Sequence, residues 1–120
     1  MRAVVLVAFA AALLFGYQDI DAKTFAKMME QNDVVVLDVR TPDEFTQGHI
    51  AGANLIPIQL FGYIYLGGKG IKDKKILVYC RSGNRSVTAA KTLEAWGVKE
   101  VYNLKRGILE WREAGLPLVR

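Results

Sequence analysis

Short apolar runs alternate with amphipathic segments along most of this chain. Residues 34–37 form an unbroken apolar run that ends at Asp38, and residues 76–79 form a second run that leads directly into Cys80. Because neither run alternates with polar residues, each predicts a strand that is covered on both faces. Residues 54–56, which are stopped by Pro57, and residues 101–104 predict two further short strands.

The segments between these runs have helical spacing and recognisable helix ends. Asp21 can cap a helix whose Phe25, Met28 and Met29 share one face. The sequence Thr41-Pro42-Asp43-Glu44 contains a capping box with proline at the first helical position, which predicts a short helix there. Two later helices are predicted over residues 86–96 and 108–114, with inward residues Val87, Ala90 and Leu93 in the first and stop signals at Gly97, Gly115 and Pro117.

This order of strands and helices predicts an α/β domain with a mostly parallel sheet. In such sheets ligands bind at the carboxyl ends of the strands. Asp38-Val39-Arg40 and Cys80-Arg81 both follow strand ends, so we expect them at the ligand-binding edge. The apolar, glycine-rich residues 60–70 match no element, and they are interpreted either as a helix packed over the sheet or as a partner surface.

The first sixteen residues have the pattern of a secretory signal peptide. Arg2 precedes thirteen uncharged residues, 3–15, which span roughly 20 Å as a helix against a hydrocarbon core of about 30 Å. Cleavage after Gly16 would place Leu14 at a position that favours small residues, so an uncleaved anchor and a buried first strand of a cytosolic protein stay open. We expect residues 1–16 to be a signal peptide and the protein to be periplasmic or otherwise exported.

Composition and charge exclude several classes of protein. A chain of 120 residues with 52% hydrophobic residues suits one globular domain and excludes disorder. One cysteine and one histidine exclude an intrachain disulfide and do not suffice for a structural zinc site. The net charge of +4 comes from basic residues spread along the chain, which gives no indication of nucleic-acid binding.

The segment Cys80-Arg81-Ser82-Gly83-Asn84-Arg85-Ser86 joins a predicted buried strand to a helix start. Such a loop points backbone N–H groups at one place, where the helix dipole adds positive potential. Gly83 permits a tight turn, and the two arginines add positive charge. Because helix N-termini and cations favour thiolates, we expect Cys80 to be an anionic nucleophile in a site that attracts anions.

A structural interpretation of Cys80 is also possible, since free cysteines are often small buried hydrophobic residues at strand ends. The next six residues hold two arginines, two serines, a glycine and an asparagine, which is a poor composition for an apolar site. The composition of the loop therefore favours the reactive interpretation.

Three segments resemble the single-domain rhodanese-like sulfurtransferases. The first covers residues 37–45 and 48–57, the second is the loop from Cys80 to Ser86, and the third runs from Gly107 through Trp111 to Pro117. The resemblance implies a rhodanese-like domain over residues 17–120 with a three-layer α/β fold, in which helices cover both faces of the sheet.

The resemblance also implies a mechanism and its residues. Cys80 would take sulfane sulfur from thiosulfate or a similar donor as a persulfide and pass it to cyanide or a thiol. The backbone N–H groups of the loop would stabilise the charge of the persulfide, and Arg81 or Arg85 would steer the donor. The substrate-binding residues would therefore be Arg81, Ser82, Gly83, Asn84, Arg85 and Ser86. No cofactor or metal is implied. The expected partners are a small anionic sulfur donor and a thiophilic acceptor. We expect no nucleic acid, and no membrane unless the signal peptide stays uncleaved. The protein is expected to be a monomer or a weak dimer.

Two other functions are alternatives to sulfur transfer. Related phosphatases and arsenate reductases have one more residue between the cysteine and the arginine than the four that separate Cys80 from Arg85, so this loop suits sulfur better than phosphate. A non-catalytic module that binds an anion or a thiol is the second alternative. In the family pattern the charged residues after the first strand are structural, with Asp38 holding the loop backbone, Arg40 pairing with an acid such as Glu44, and His49 in a turn.

Overall fold

A computed structural model describes residues 16–63 and 71–120 of the chain. The predicted signal peptide lies outside these residues except for Gly16, and so does part of the unassigned segment, residues 64–70. Within the described part, five parallel strands form one sheet in the order β1-β5-β4-β2-β3. The strands are β1 (Gln18–Ile20), β2 (Val34–Asp38), β3 (Asn54–Leu55), β4 (Lys75–Tyr79) and β5 (Glu100–Leu104).

Three α-helices lie between strands and a fourth follows β5, and two short 3₁₀-helices flank the undescribed gap. The α-helices are α1 (Ala22–Met28), α2 (Pro42–Gln47), α3 (Asn84–Ala95) and α4 (Gly107–Glu113), and the 3₁₀-helices are Ile58–Leu60 and Ile71–Asp73. None of the helices in the described residues is long and apolar enough to cross a membrane.

Alternation of side chains along the strands builds a hydrophobic core on each face of the sheet. In β4, Ile76 and Val78 pack on the face that α3 covers, while Leu77 and Tyr79 pack on the face that α1 and α4 cover. Cys80 continues the first set, so its side chain belongs to the α3 face. The three-layer α/β fold expected from the sequence is therefore confirmed.

The predicted helix caps are present. Asp21 accepts a hydrogen bond from the Thr24 N–H at 2.8 Å, and Thr41 and Glu44 form the reciprocal capping box of α2. Among the inward positions predicted for α3, Ala90 and Leu93 are buried. Val87 is only half-buried, and Ala89 is buried in its place together with Ser86, because the helix presents a different face to the sheet.

Several element boundaries differ from the prediction by one or two residues, and one strand was not predicted. The helix α3 begins two residues earlier than expected, since Gly83 caps it in a left-handed conformation without a side-chain hydrogen bond. Strand β3 ends one residue earlier, at Leu55. Strand β1 was not predicted, because its three residues are mostly exposed and give no apolar run.

The start of the unassigned segment packs against α3. Phe61 is buried and stacks on Trp96 with parallel rings 5.9 Å apart. Leu60 and Tyr63, in contrast, are exposed. In the described part of this segment, residues 60–63, Leu60 ends the 3₁₀-helix and Phe61 is the buried residue.

Candidate active site

Cys80 is the first residue after β4, at the carboxyl edge of the sheet. It is 1% exposed and packs in the core cluster on the α3 face. Burial alone matches the structural interpretation of this cysteine. The groups around the Cys80 sulfur do not match that interpretation, because they are polar and point at the sulfur.

Three hydrogen-bonding groups lie against the Cys80 sulfur. The N–H of Gly83 donates to Sγ at 3.1 Å and the N–H of Ser86 at 3.4 Å, and the Ser86 hydroxyl oxygen lies 3.4 Å from Sγ. Ser86 belongs to the first turn of α3, a twelve-residue helix whose dipole is positive at this end. Two backbone N–H donors and one hydroxyl group thus surround the sulfur at the start of α3.

Opposing effects act on the pKa of the Cys80 thiol. Burial raises it, while the Ser86 hydroxyl and the N–H groups of Ser86, Gly83 and Ser82 lower it. The hydrogen bonds together outweigh burial, so the pKa lies below the ordinary value for a thiol. The site therefore makes the thiolate, which is the nucleophilic form, easier to form than it is for an ordinary thiol.

Two glycines allow other segments to approach the loop closely. Gly83 has φ of +104°, and a β-carbon there would overlap the Lys105 carbonyl oxygen. Gly107 has φ of +64°, and a β-carbon there would overlap the Arg81 carbonyl oxygen. This approach lets the N–H of Ile108 donate to the Cys80 carbonyl at 2.9 Å, which joins α4 to the loop.

Arg85 does not point freely into the site. Its guanidinium forms a two-pronged ion pair with Glu44, with Nη1–Oε1 at 2.8 Å and Nη2–Oε2 at 2.9 Å. Because Glu44 also caps α2, this pair ties α3 to α2. Of the two arginines expected to steer a donor, only Arg81 is without an ion pair among the described residues.

The prediction that Arg40 pairs with an acid such as Glu44 is wrong as regards Glu44. Arg40 pairs with Asp38, with Nη2–Oδ2 at 2.7 Å, and both side chains are buried. Glu44 forms its ion pair with Arg85 and not with Arg40. The backbone role expected for Asp38 is present, because its Oδ1 accepts from the Arg40 N–H at 2.9 Å.

His49 does not lie in the turn that the family pattern implies, because its backbone N–H and carbonyl exchange hydrogen bonds of 2.8 Å with Val119 in an antiparallel bridge. Its Nδ1 lies 2.9 Å from the Phe45 carbonyl oxygen, and its ring stacks on that of Phe45 at 3.6 Å. In the described part of the chain, no group of three or more histidine, cysteine or acidic side chains is placed to hold a metal ion.

The family model for the rhodanese-like domain matches residues 21–114. The chain belongs to this family. A rhodanese-related protein of Thermoplasma volcanium has the same fold, with a TM-score of 0.75 and 35% identity over 86% of this chain and 98% of that one.

Relatives of this rhodanese-like domain include named sulfurtransferases and uncharacterised proteins. A protein of Allochromatium vinosum named sulfurtransferase is 38% identical over 84% of this chain and 94% of its own length. The uncharacterised protein slr1261 of Synechocystis is 36% identical over 82% of this chain, which spans only 54% of that protein. These relatives place the domain in the sulfurtransferase superfamily.

Three of the six predicted loop residues lie around the sulfur, and the other three do not. Gly83, Ser86 and the backbone of Ser82 face it, Arg85 faces Glu44, and Arg81 and Asn84 are exposed. The sequence does not indicate the positions of Glu44 and Gly107 at this site. The capping box explains Glu44 by a local contact, so its pairing with the distant Arg85 was not expected. Gly107 belongs to the third matching segment, which does not indicate that it contacts the Arg81 carbonyl.

Proposed function

We propose that the protein is a sulfurtransferase that carries sulfane sulfur on Cys80 as a persulfide. The observation that carries the proposal is the pair of backbone donors at Sγ, the Gly83 N–H at 3.1 Å and the Ser86 N–H at 3.4 Å. A buried sulfur that only filled space would not need three polar groups directed at it. Membership of a family with named sulfurtransferases supports the same function.

The reaction that these groups suit has two steps. The Cys80 thiolate attacks the outer sulfur of thiosulfate, the sulfur–sulfur bond of the donor breaks, and sulfite leaves with the bonding electron pair. The outer sulfur of the resulting persulfide is then attacked by cyanide, and thiocyanate leaves while the thiolate is restored. Negative charge stays near the loop throughout, where the backbone N–H groups and the Ser86 hydroxyl stabilise it.

Mass spectrometry after incubation with thiosulfate tests the first step. We expect the mass of the protein to rise by one sulfur atom, located on Cys80, and cyanide to remove it with formation of thiocyanate. The variant Cys80→Ser, which keeps the shape of the side chain, should show neither change. Equal thiocyanate yields from the wild type and Cys80→Ser would show that the proposal is wrong.

A non-catalytic binding module is the second candidate, and the near-complete burial of Cys80 is the observation that favours it. A module would bind thiosulfate or sulfite at the loop without turnover. Binding of thiosulfate, measured by calorimetry, with no gain in the mass of the wild type would support the module. Transfer of sulfur to Cys80 would exclude it.

A further inference from the structure

An open pocket lies on the face of the sheet that α1 and α4 cover, opposite the face to which the Cys80 side chain belongs. Its volume is about 330 Å³, and its lining comes from α1, from α4, from the chain just before β3 and from the C-terminal segment. Because a water molecule takes about 30 Å³ of the liquid, the pocket is far larger than a packing defect. Small-molecule sites begin at roughly this size, about 300 Å³.

Hydrogen bonds within the domain hold the walls of this pocket in place. The Trp111 indole N–H donates to the Pro117 carbonyl at 2.9 Å, and the Leu116 N–H donates to the Trp111 carbonyl at 3.2 Å. An antiparallel bridge between His49 and Val119 ties the same C-terminal segment to the chain before β3. The pocket is therefore formed before any ligand enters, as most small-molecule sites are.

The lining of the pocket is apolar apart from one carboxylate. Trp111 and Ile50 line it as buried residues, and their N–H donors are already used, by Pro117 for the indole and by the Tyr79 hydroxyl for the backbone. Among the described residues that line it, Glu30 carries the only charge, and it is exposed and forms no ion pair within the described part of the chain. The pocket thus suits an apolar body, and the charge at its border suits a cation.

We propose that this pocket binds a small amphiphilic cation, an alkyl- or arylammonium compound whose chain fills the pocket and whose charge lies beside Glu30. At about 30 Å³ for each heavy atom with its hydrogens, the volume holds roughly ten such atoms. The loop around Cys80 attracts anions, so the two sites take ligands of opposite charge. Binding at this pocket goes beyond the proposed function and does not depend on it.

Octylammonium, octanol and octanoate, which share one alkyl chain and differ in charge, are the probes. Binding is measured by the shift of the Trp111 indole N–H resonance. The resonance of Trp96, on the other face of the sheet, is the internal control, and Trp96→Phe assigns the two signals. We expect octylammonium to shift the Trp111 resonance alone and to bind roughly two- to fivefold more tightly than octanol, with octanoate the weakest.

Glu30→Gln tests the charge, because it keeps the shape of the side chain. The variant should bind octylammonium about two- to fivefold more weakly than the wild type and octanol equally well. Asp43→Asn removes an exposed carboxylate that does not line the pocket, and it should change neither affinity. Equal binding of octylammonium and octanol to the wild type, or the same loss in both variants, would overturn the assignment to a cation.

Ala26→Leu tests the pocket itself. Ala26 lines the pocket from α1 and is half-buried, so leucine extends into the space without an appreciable cost in helix propensity. We expect octylammonium and octanol both to bind at least about threefold more weakly. Ala95→Leu, at an exposed position of α3 outside the pocket, should bind both as the wild type does. If Ala26→Leu does not fold, Ala51→Leu fills the same pocket from an exposed position.

A second copy of the chain is the other occupant that an apolar surface can take. Sedimentation equilibrium separates the two, since a small-molecule site leaves the molecular mass in solution unchanged when octylammonium is added. A dimer that octylammonium dissociates and Ala26→Leu weakens would assign the pocket to a second copy and overturn the proposal. The proposal also fails if none of the three probes shifts the Trp111 resonance.

Discussion

The hydroxyl of Ser86 forms a side-chain hydrogen bond with the candidate nucleophile. Ser86 is fully buried, and its oxygen lies 3.4 Å from Cys80 Sγ. Because burial raises the pKa of the thiol, the thiolate depends on hydrogen bonds for its stability. Ser86 supplies two of these bonds, one from its hydroxyl and one from its N–H, and only the first is removable by mutation.

Replacing Ser86 with alanine should therefore raise the pKa of Cys80. The thiolate fraction at pH 7 falls, so we expect sulfur uptake from thiosulfate at pH 7 to slow roughly three- to tenfold and to recover at higher pH. Titration of the thiolate ultraviolet absorbance, with Cys80→Ser as the blank, measures the pKa directly. Thr88→Ala removes an exposed hydroxyl from the same helix and should leave the titration unchanged. An unchanged pKa in Ser86→Ala would contradict the role of the hydroxyl.

At the scale of residues, the sequence predicted local relations better than distant ones. The capping box of Thr41 and Glu44 follows from their spacing of three residues and is present. The pairing of Glu44 with Arg85 joins residues 41 positions apart, and no local spacing indicates it. Arg40 was assigned to the wrong acid for the same reason, since the choice between Asp38 and Glu44 depends on where Arg85 lies in space.

The contact between α4 and the Cys80 loop depends on the backbone of Gly107. We expect Gly107→Ala to displace the loop, because the new β-carbon would overlap the Arg81 carbonyl oxygen. The left-handed conformation costs about 1 kcal/mol for alanine, and the overlap adds roughly 2 kcal/mol. Thermal unfolding measures this loss of stability, and the rate of sulfur uptake measures the displacement of the loop.

Gly115→Ala is the control for Gly107→Ala. Gly115 also has a left-handed φ, +72°, but among the described residues no atom beyond its two chain neighbours lies within 4 Å of the position of its β-carbon. Its substitution should cost only the backbone strain of about 1 kcal/mol and leave the rate of sulfur uptake unchanged. Equal losses in both variants would show that the approach of Gly107 to Arg81 is unimportant.

At the scale of elements, apolar runs and caps predicted the central strands and three helix starts to within a residue. The start of α3 was placed two residues late because Gly83 caps it through its backbone conformation, which leaves no side-chain signal. Strand β1 was missed because it is a three-residue edge strand whose stability comes from pairing with β5. Both misses concern features that only neighbouring elements determine.

At the scale of the whole molecule, the order of strands decides which residues can meet. β2 and β4 are neighbours at the centre of the sheet, so the segments that follow them leave the same edge side by side. This brings Glu44, which follows β2, to Arg85, which follows β4. The apolar pattern of the strands predicted a parallel sheet but is compatible with several strand orders, so the sequence placed the site at the correct edge without giving its pairings.

The Glu44–Arg85 pair should make the stability of the molecule depend on pH in a defined range. The Arg85 guanidinium, helped by the Thr41 cap and opposed by burial, lowers the pKa of Glu44 from 4.5 to about 2. A carboxyl whose pKa is lower in the folded state stabilises the fold above its unfolded pKa, about 4.3, and this stabilisation disappears as the pH falls through about 2. The ion pair is partly exposed, so we expect its contribution to be roughly 1 kcal/mol.

Glu44→Gln tests this dependence by thermal unfolding at several pH values. At pH 7 the variant should melt about 4 °C below the wild type, because it loses the ion pair. Between pH 5 and pH 2 the difference should shrink towards zero, since the wild type loses the same interaction by protonation. Asp43→Asn removes a neighbouring exposed carboxylate that has no ion pair among the described residues, and its melting curve should follow the wild type at every pH. A difference between Glu44→Gln and the wild type that stayed constant down to pH 2 would mean that shape and hydrogen bonding, and not the charge of Glu44, hold α2 to α3.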